Sequence, residues 1–340
     1  MRKRLLLVGI IAWTLIIVLA IGIFAVVAKG GFENMRIGST VIKEESHSLD
    51  DFKKLVIKAD SLSVKIVKNE TDEIKITQYG RKNAQDSEKY KVEENTSTFT
   101  VNAKRDFYTQ IFNFEINAGL VVALPANWHG SLSVESQSGG ISIDDELVLQ
   151  SAYLAATSGG IHIYEGLASD GLTLESTSGG IYVDGEISVK NKVSFTSNSG
   201  RIFVKAPVEA DNIKASARSG GIKLGEVKVS SYDISVNSGV INIGSISGGG
   251  DIHSLSGGID VLLSEPQGDV NVSAHSGAIK IRLDRSISFS LTADTASGGI
   301  HADFPISKNG KGNHATATVG DAPEMNLVVK ATSGSIRILY

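Results

Sequence analysis

The chain of 340 residues contains no cysteine. That excludes disulfides, thiolate metal sites, a cysteine nucleophile and a lipidated cysteine anchor. The fold must therefore be held by burial and by backbone hydrogen bonds alone. Proline is scarce, at 5 residues, so long uninterrupted strands are permitted. Acidic residues are missing from the first 29 positions, where four of the 33 basic residues lie: Arg2, Lys3, Arg4 and Lys29. The rest of the chain carries 29 basic residues against 37 acidic ones. A surface of that sign argues against nucleic acid as a partner.

Charge of either sign is absent from Leu5 to Ala28. As a helix this run would be about 36 Å long, enough to cross a hydrocarbon core of about 30 Å with some tilt. The run is too long for the apolar core of an ordinary cleaved signal peptide, although Val26 and Ala28 are compatible with cleavage. The basic residues at 2–4 place the N-terminus in the cytoplasm. We therefore expect residues 1–29 to be a cytoplasmic tip and a single-pass signal-anchor in the cell membrane, with the remainder extracytoplasmic. Residues 30–49 read as a linker.

What is abundant is a repeat. The tetrad Ser-Gly-x-Ile recurs ten times, at Ser138-Gly139, Ser158-Gly159, Ser178-Gly179, Ser199-Gly200, Ser219-Gly220, Ser238-Gly239, Ser256-Gly257, Ser276-Gly277, Ser297-Gly298 and Ser333-Gly334. Successive spacings are 20, 20, 21, 20, 19, 18, 20, 21 and 36 residues. Apolar pairs sit six and four residues before the serine, as in Leu132/Val134 and Leu172/Leu174. A further pair sits three and five after it, as in Ile141/Ile143 and Ile181/Val183. Apolar residues at every second position mean strands with one buried face. A small residue two before the serine, such as Ser136 or Ala156, leaves room inside a corner. The glycine is read as the structural turn, supplying positive φ or a close approach between neighbours. The tetrad serines read as turn residues whose hydroxyls hydrogen-bond locally or along the stack.

A unit of about 20 residues is too short for a propeller blade and lacks the pattern of leucine-rich repeats. The expected fold class is all-β, a β-solenoid of parallel β-helix type with at least two strands per coil, occupying 132–340. Ten coils would make a rod of about 48 Å. Residues 50–131 read as an N-terminal β-rich part. They include a degenerate first coil or cap, in which Leu55, Ile57, Ala59, Ser61, Val64 and Ile66 repeat the offsets. Lys308–His314 reads as a flexible glycine-rich loop. The strand Ile336–Tyr340 has no visible cap, which suggests an open edge and self-association.

The units from Leu132 onward, the entry sequence Leu55–Ser61 and the element Val122-Ala-Leu-Pro125 resemble the bacterial "putative adhesin" family of β-strand-repeat proteins, a domain of unknown function. The resemblance covers roughly residues 50–340. With one helix ahead of the domain, the chain looks like the membrane-anchored members encoded with cell-envelope stress systems. The resemblance implies an adhesin-like or scaffold role, or an accessory role beside a stress sensor. It brings no catalytic motif and no cofactor.

The chemistry-bearing residues agree with a non-enzymatic reading. The histidines His162 and His301 share an outward column but lie far apart, and His253 and His275 have no third partner, so no metal site is assigned. The tetrad serines lack a nucleophile elbow. The acidic clusters Asp144-Asp145-Glu146 and Asp184-Gly-Glu186 would suit a carbohydrate-active β-helix enzyme only if two carboxylates met at matched separation. Tyr182 and Phe203 occupy the outward column on successive repeats, with Tyr164 close by. These three are the candidate ligand-facing residues, for a cell-wall polymer or an envelope membrane protein.

Overall fold

The computed structural model describes residues 40–103, 118–323 and 325–340. The transmembrane segment expected at 5–28 lies outside the described residues. Among those described, no helix is long and apolar enough to cross a membrane. Among the described residues the architecture is all-β, with one 3-10 turn at Asp86–Glu88.

Parallel strands stack in register into twelve levels, here called coils 1 to 12 in spatial order. Coil 1 holds strands Thr98–Ala103 and Gly119–Pro125. Coil 2 holds Lys54–Ala59 and Ser63–Asn69. Coil 3 begins the regular repeats with Ser131–Ser136 and Ile141–Ile143. Coils 4 to 10 follow in sequence order and end with Val270–Ser276 and Ile279–Leu283. Coil 11 is Met325–Ser333 with Ile336–Leu339, and coil 12 is Phe289–Ser297 with Ile300–Ala302. At the spacing of parallel strands, twelve coils make a rod of about 58 Å.

Each regular coil has three sides. Side A carries the pairs typified by Leu132/Val134 and side B those typified by Ile141/Ile143, all buried. Side C is a short segment, Leu147–Leu149 in coil 4, stacked on Leu167–Ser169 and then on Ile187–Val189. In the strand Leu147–Ala156 the buried positions run Leu147, Leu149, then Ala152, Leu154, Ala156. The alternation slips by one residue between 149 and 152, which is the corner between sides C and A. Burying one Leu, Ile or Val is worth about 1.5–3 kcal/mol. A continuous column of them on three sides replaces the missing disulfides.

The corner between sides A and B explains the tetrad. A Cβ built on Gly159 would lie 2.1 Å from the carbonyl oxygen of Gly139, and one on Gly179 would lie 2.2 Å from that of Gly159. No side chain fits between coils there. Positive φ is a second requirement only in the later copies: Gly220, Gly239, Gly257, Gly277, Gly298 and Gly334 lie between 143° and 152°. The tetrad serines do not play the role expected of them. Their hydroxyls are exposed and make no hydrogen bond among the described residues. The buried residue two positions earlier does so instead: Ser176 Oγ donates to the Gly179 carbonyl at 2.7 Å, and Ser197 Oγ to that of Gly200 at 2.8 Å.

Both ends depart from sequence order. Coil 2 lies between coil 1 and coil 3, because strand 54–59 pairs with both 98–103 and 131–136. Coil 11, last in sequence, lies between coils 10 and 12. The edge at Ile336–Tyr340 is therefore not open. Ile336 is paired with Ile279 on one side and Ile300 on the other. The self-association argument built on that edge fails for this reason.

The outer coils are closed by antiparallel strands. Lys91–Asn95 covers coil 1 on side A. Glu73–Gly80 covers it on side B and is itself paired with Thr40–Ser48. Residues 40–48, part of the expected linker 30–49, form this strand. In the same cap, the buried Gln78 amide donates to the Glu88 carbonyl and accepts from the Tyr90 amide. At the far end His314–Val319 covers coil 12, and Ser307–Lys308 pairs back onto it. The segment 308–314 is thus the turn of a capping hairpin. It is pinned by Asn309, whose side chain bonds that of Asn313 at 2.8 Å. On side B of coil 12, Lys308 Nζ donates to the Ile300 carbonyl at 2.7 Å.

Candidate functional site

In a parallel in-register stack, the outward residue of each short side-B strand sits directly beside that of the next coil. The column runs Ser142, His162, Tyr182, Phe203, Lys223, Asn242, Asp260, Lys280. Arg337 and then His301 complete it, in that order because coil 11 is inserted. Its large rings, Tyr182 and Phe203, lie on coils 5 and 6, between His162 of coil 4 and Lys223 of coil 7.

There the side chains form one connected row. The His162 ring stacks on Tyr164 with centroids 3.6 Å apart and planes at 25°. His162 also meets Tyr182 at 5.8 Å. The Arg201 guanidinium lies 5.3 Å from the centroids of both Tyr182 and Phe203, and Lys223 Nζ lies 5.3 Å from Phe203. Each such cation contact at an exposed site is worth about 0.5–1 kcal/mol. His162 Nε2 is held 2.6 Å from Asp184 Oδ2, which fixes its ring. Tyr182 folds back over Gly180, where a Cβ would come within 2.7 Å of the ring.

The three expected residues are thus brought onto one face, with Tyr164 joined to Tyr182 through His162. Sequence reasoning missed Arg201 as a member. The signal was present: arginine replaces the glycine found at the third tetrad position in the preceding coils, at Gly140, Gly160 and Gly180.

Several of the other candidate groups are engaged within the chain. Asp144 pairs with Lys65, and Asp145 accepts from the Lys68 amide at 2.8 Å. His253 Nδ1 lies 2.9 Å from Ser273 Oγ. Among the described residues no three His, Asp or Glu side chains converge as a metal site. Depressions on the described surface include two along the stack. A cleft of about 300 Å³ lies near coil 1, lined by Phe52, Trp128 and Asp72 among others, with Trp128 Nε1 donating to the Phe52 carbonyl at 3.0 Å. A shallow groove of about 580 Å³ runs along side C from Val148 to Asp211.

Solved structures similar to this chain are distant in sequence. A putative lipid binding protein from Parabacteroides distasonis is 13% identical, with 87% of this chain and 96% of that one covered and a TM-score of 0.48. A putative adhesin from the same organism is 12% identical, with 87% and 96% covered and a TM-score of 0.46. A putative adhesin from Bacteroides fragilis is also 12% identical over 87% and 96%, with a TM-score of 0.36. At these scores the likenesses say nothing of what this chain binds. Comparison with curated proteins gives no match. The family model described as Toastrack DUF4097 matches twice, over residues 52–202 and 170–339. Those two stretches span nearly the whole repeat stack, and the chain belongs to the Toastrack DUF4097 family, a domain of unknown function.

Proposed function

We propose that this protein is a non-catalytic, adhesin-like surface module, anchored by residues 5–28 and presenting its rod outside the cell. Its binding face is side B of coils 4 to 7, and its ligand is a cell-envelope polysaccharide. The observation that carries this reading is the connected row Tyr164, His162, Tyr182, Arg201, Phe203 and Lys223 on a solvated sheet face. Aromatic rings at coil spacing offer flat apolar surfaces to successive sugars, and the flanking cations offer donors to hydroxyl and acid groups. The anchor reading rests on the uncharged run and its basic flank.

The test uses full-length protein in detergent micelles, sedimented with insoluble wall polysaccharide. Wild type should co-sediment. Tyr182→Ala with Phe203→Ala should weaken binding about tenfold, the loss of about 1.4 kcal/mol expected for two ring contacts. Unchanged binding by a variant that melts like wild type would remove side B from the account.

A further inference from the structure

The far end of the stack closes on a segment that arrives last in sequence. Coil 11 enters between two coils that precede it in the chain. Phe289 of coil 12 pairs with Val319 on one side and with Met325 on the other. The link that begins at Gly320 therefore crosses the start of the coil 12 strand. Gly320 has φ +83°, and a Cβ there would meet Ser288 Oγ at 2.2 Å, so the crossing is tightly packed.

Coils 10 and 12 present matching edges to coil 11. Their tetrads are the same, and Gly277 and Gly298 share an extended positive φ, 143° and 150°. A Cβ on Gly334 would meet the Gly277 carbonyl oxygen at 2.1 Å, and one on Gly298 would meet that of Gly334 at 2.1 Å. The same glycine step is thus repeated on both sides of the insert. The acceptor is built entirely from residues before 320, and the insert hangs on a five-residue link.

We propose that the gap between coils 10 and 12 is a strand-acceptor site for residues 325–340, filled in the monomer by the chain's own segment and in a dimer by that of a second copy. The site selects its occupant by sequence. It takes apolar residues at the spacing of Leu327/Val329 and Ile336/Ile338, all buried, with a glycine at 334 where no Cβ fits. A second copy supplies that pattern in full. Exchange keeps every contact of the insert and relaxes the tight crossing, which is the circumstance that favours swapped dimers. This inference is independent of the ligand assigned to side B.

The absence of cysteine makes the test clean. Ser276 and Ser333 are exposed register partners in coils 10 and 11. Full-length Ser276→Cys and full-length Ser333→Cys are prepared separately, mixed over a hundredfold range of concentration, partly unfolded, refolded and oxidised. The chain carrying both substitutions is the control, and it should close its own bond. Exchange predicts a disulfide dimer containing one chain of each kind, in a fraction that rises with concentration. Gly320→Ala should raise that fraction several-fold by straining the crossing. A mixture that stays uncrosslinked while the control closes would overturn the proposal. So would dimers lacking the bond between the two introduced thiols. If the control fails to close, sedimentation decides: a Gly320→Ala chain that refolds wholly monomeric at the highest concentration overturns it as well.

Discussion

At the scale of single residues, the stack is decided by what cannot be accommodated. Gly179 has the Gly159 carbonyl oxygen 2.2 Å from its would-be Cβ, while Gly310 has nothing within 4 Å. Gly179→Ala should therefore destabilise the protein by more than about 3 kcal/mol, the range of a forced backbone clash, and Gly310→Ala should stay within about 0.5 kcal/mol of wild type. Denaturant midpoints of the two variants check both statements. The glycines and the apolar pairs were legible in the sequence because each recurs at a fixed offset with a single physical cause. The role of the tetrad serines was not legible. A hydroxyl at a corner and one two residues earlier are equally able to bond a turn carbonyl, and only burial selects the inner one, as at Ser176 and Ser197.

At the scale of elements, the order of coils is the main departure from a linear reading. Coils 11 and 12 carry the same tetrad and the same apolar spacing, so pattern alone leaves their order open. The order is fixed by capping. The hairpin 307–319 is joined to coil 12, and it covers an outer edge only if coil 12 is outermost. Exposed strand edges invite unwanted pairing, which is the pressure this arrangement relieves. Side C was also hidden, because its segments are as short as the two residues Val208–Glu209 and merge into the neighbouring strands. The strand Thr40–Ser48 escaped notice for another reason: it is an edge strand with four charged or histidine positions and little apolar alternation. Placement of coil 11 has a measurable consequence. Ile281 and Ile338 are both fully buried side-B residues. Replacing either by alanine should cost about 2–5 kcal/mol. Had coil 11 been a frayed end, Ile338→Ala would cost far less than Ile281→Ala, and equilibrium unfolding of the pair separates the cases.

At the scale of the whole molecule, the chain is a rod of about twelve coil spacings with both ends capped and three outward faces. Repetition makes the interior uniform, so distinctive chemistry is confined to positions the stack leaves free. The outward column of side B is such a position, and it is varied along its length. Polar and charged residues fill most of it, while rings and their cations gather in coils 4 to 7. That concentration could be read from the sequence through Tyr182 and Phe203. The linkage through His162 and Arg201 needed the register.

The central claim is that this row is the contact surface for an envelope polymer. Hydroxyl-radical footprinting of the full-length protein, with and without soluble wall polysaccharide, tests it most directly, because radicals report on exposed rings. The account predicts that oxidation of His162, Tyr164, Tyr182 and Phe203 falls together when polymer binds, while Tyr153 on side A and Trp128 near coil 1 are unchanged. Polymer binding that leaves those four residues as reactive as before, or that protects Tyr153 or Trp128 instead, would contradict it.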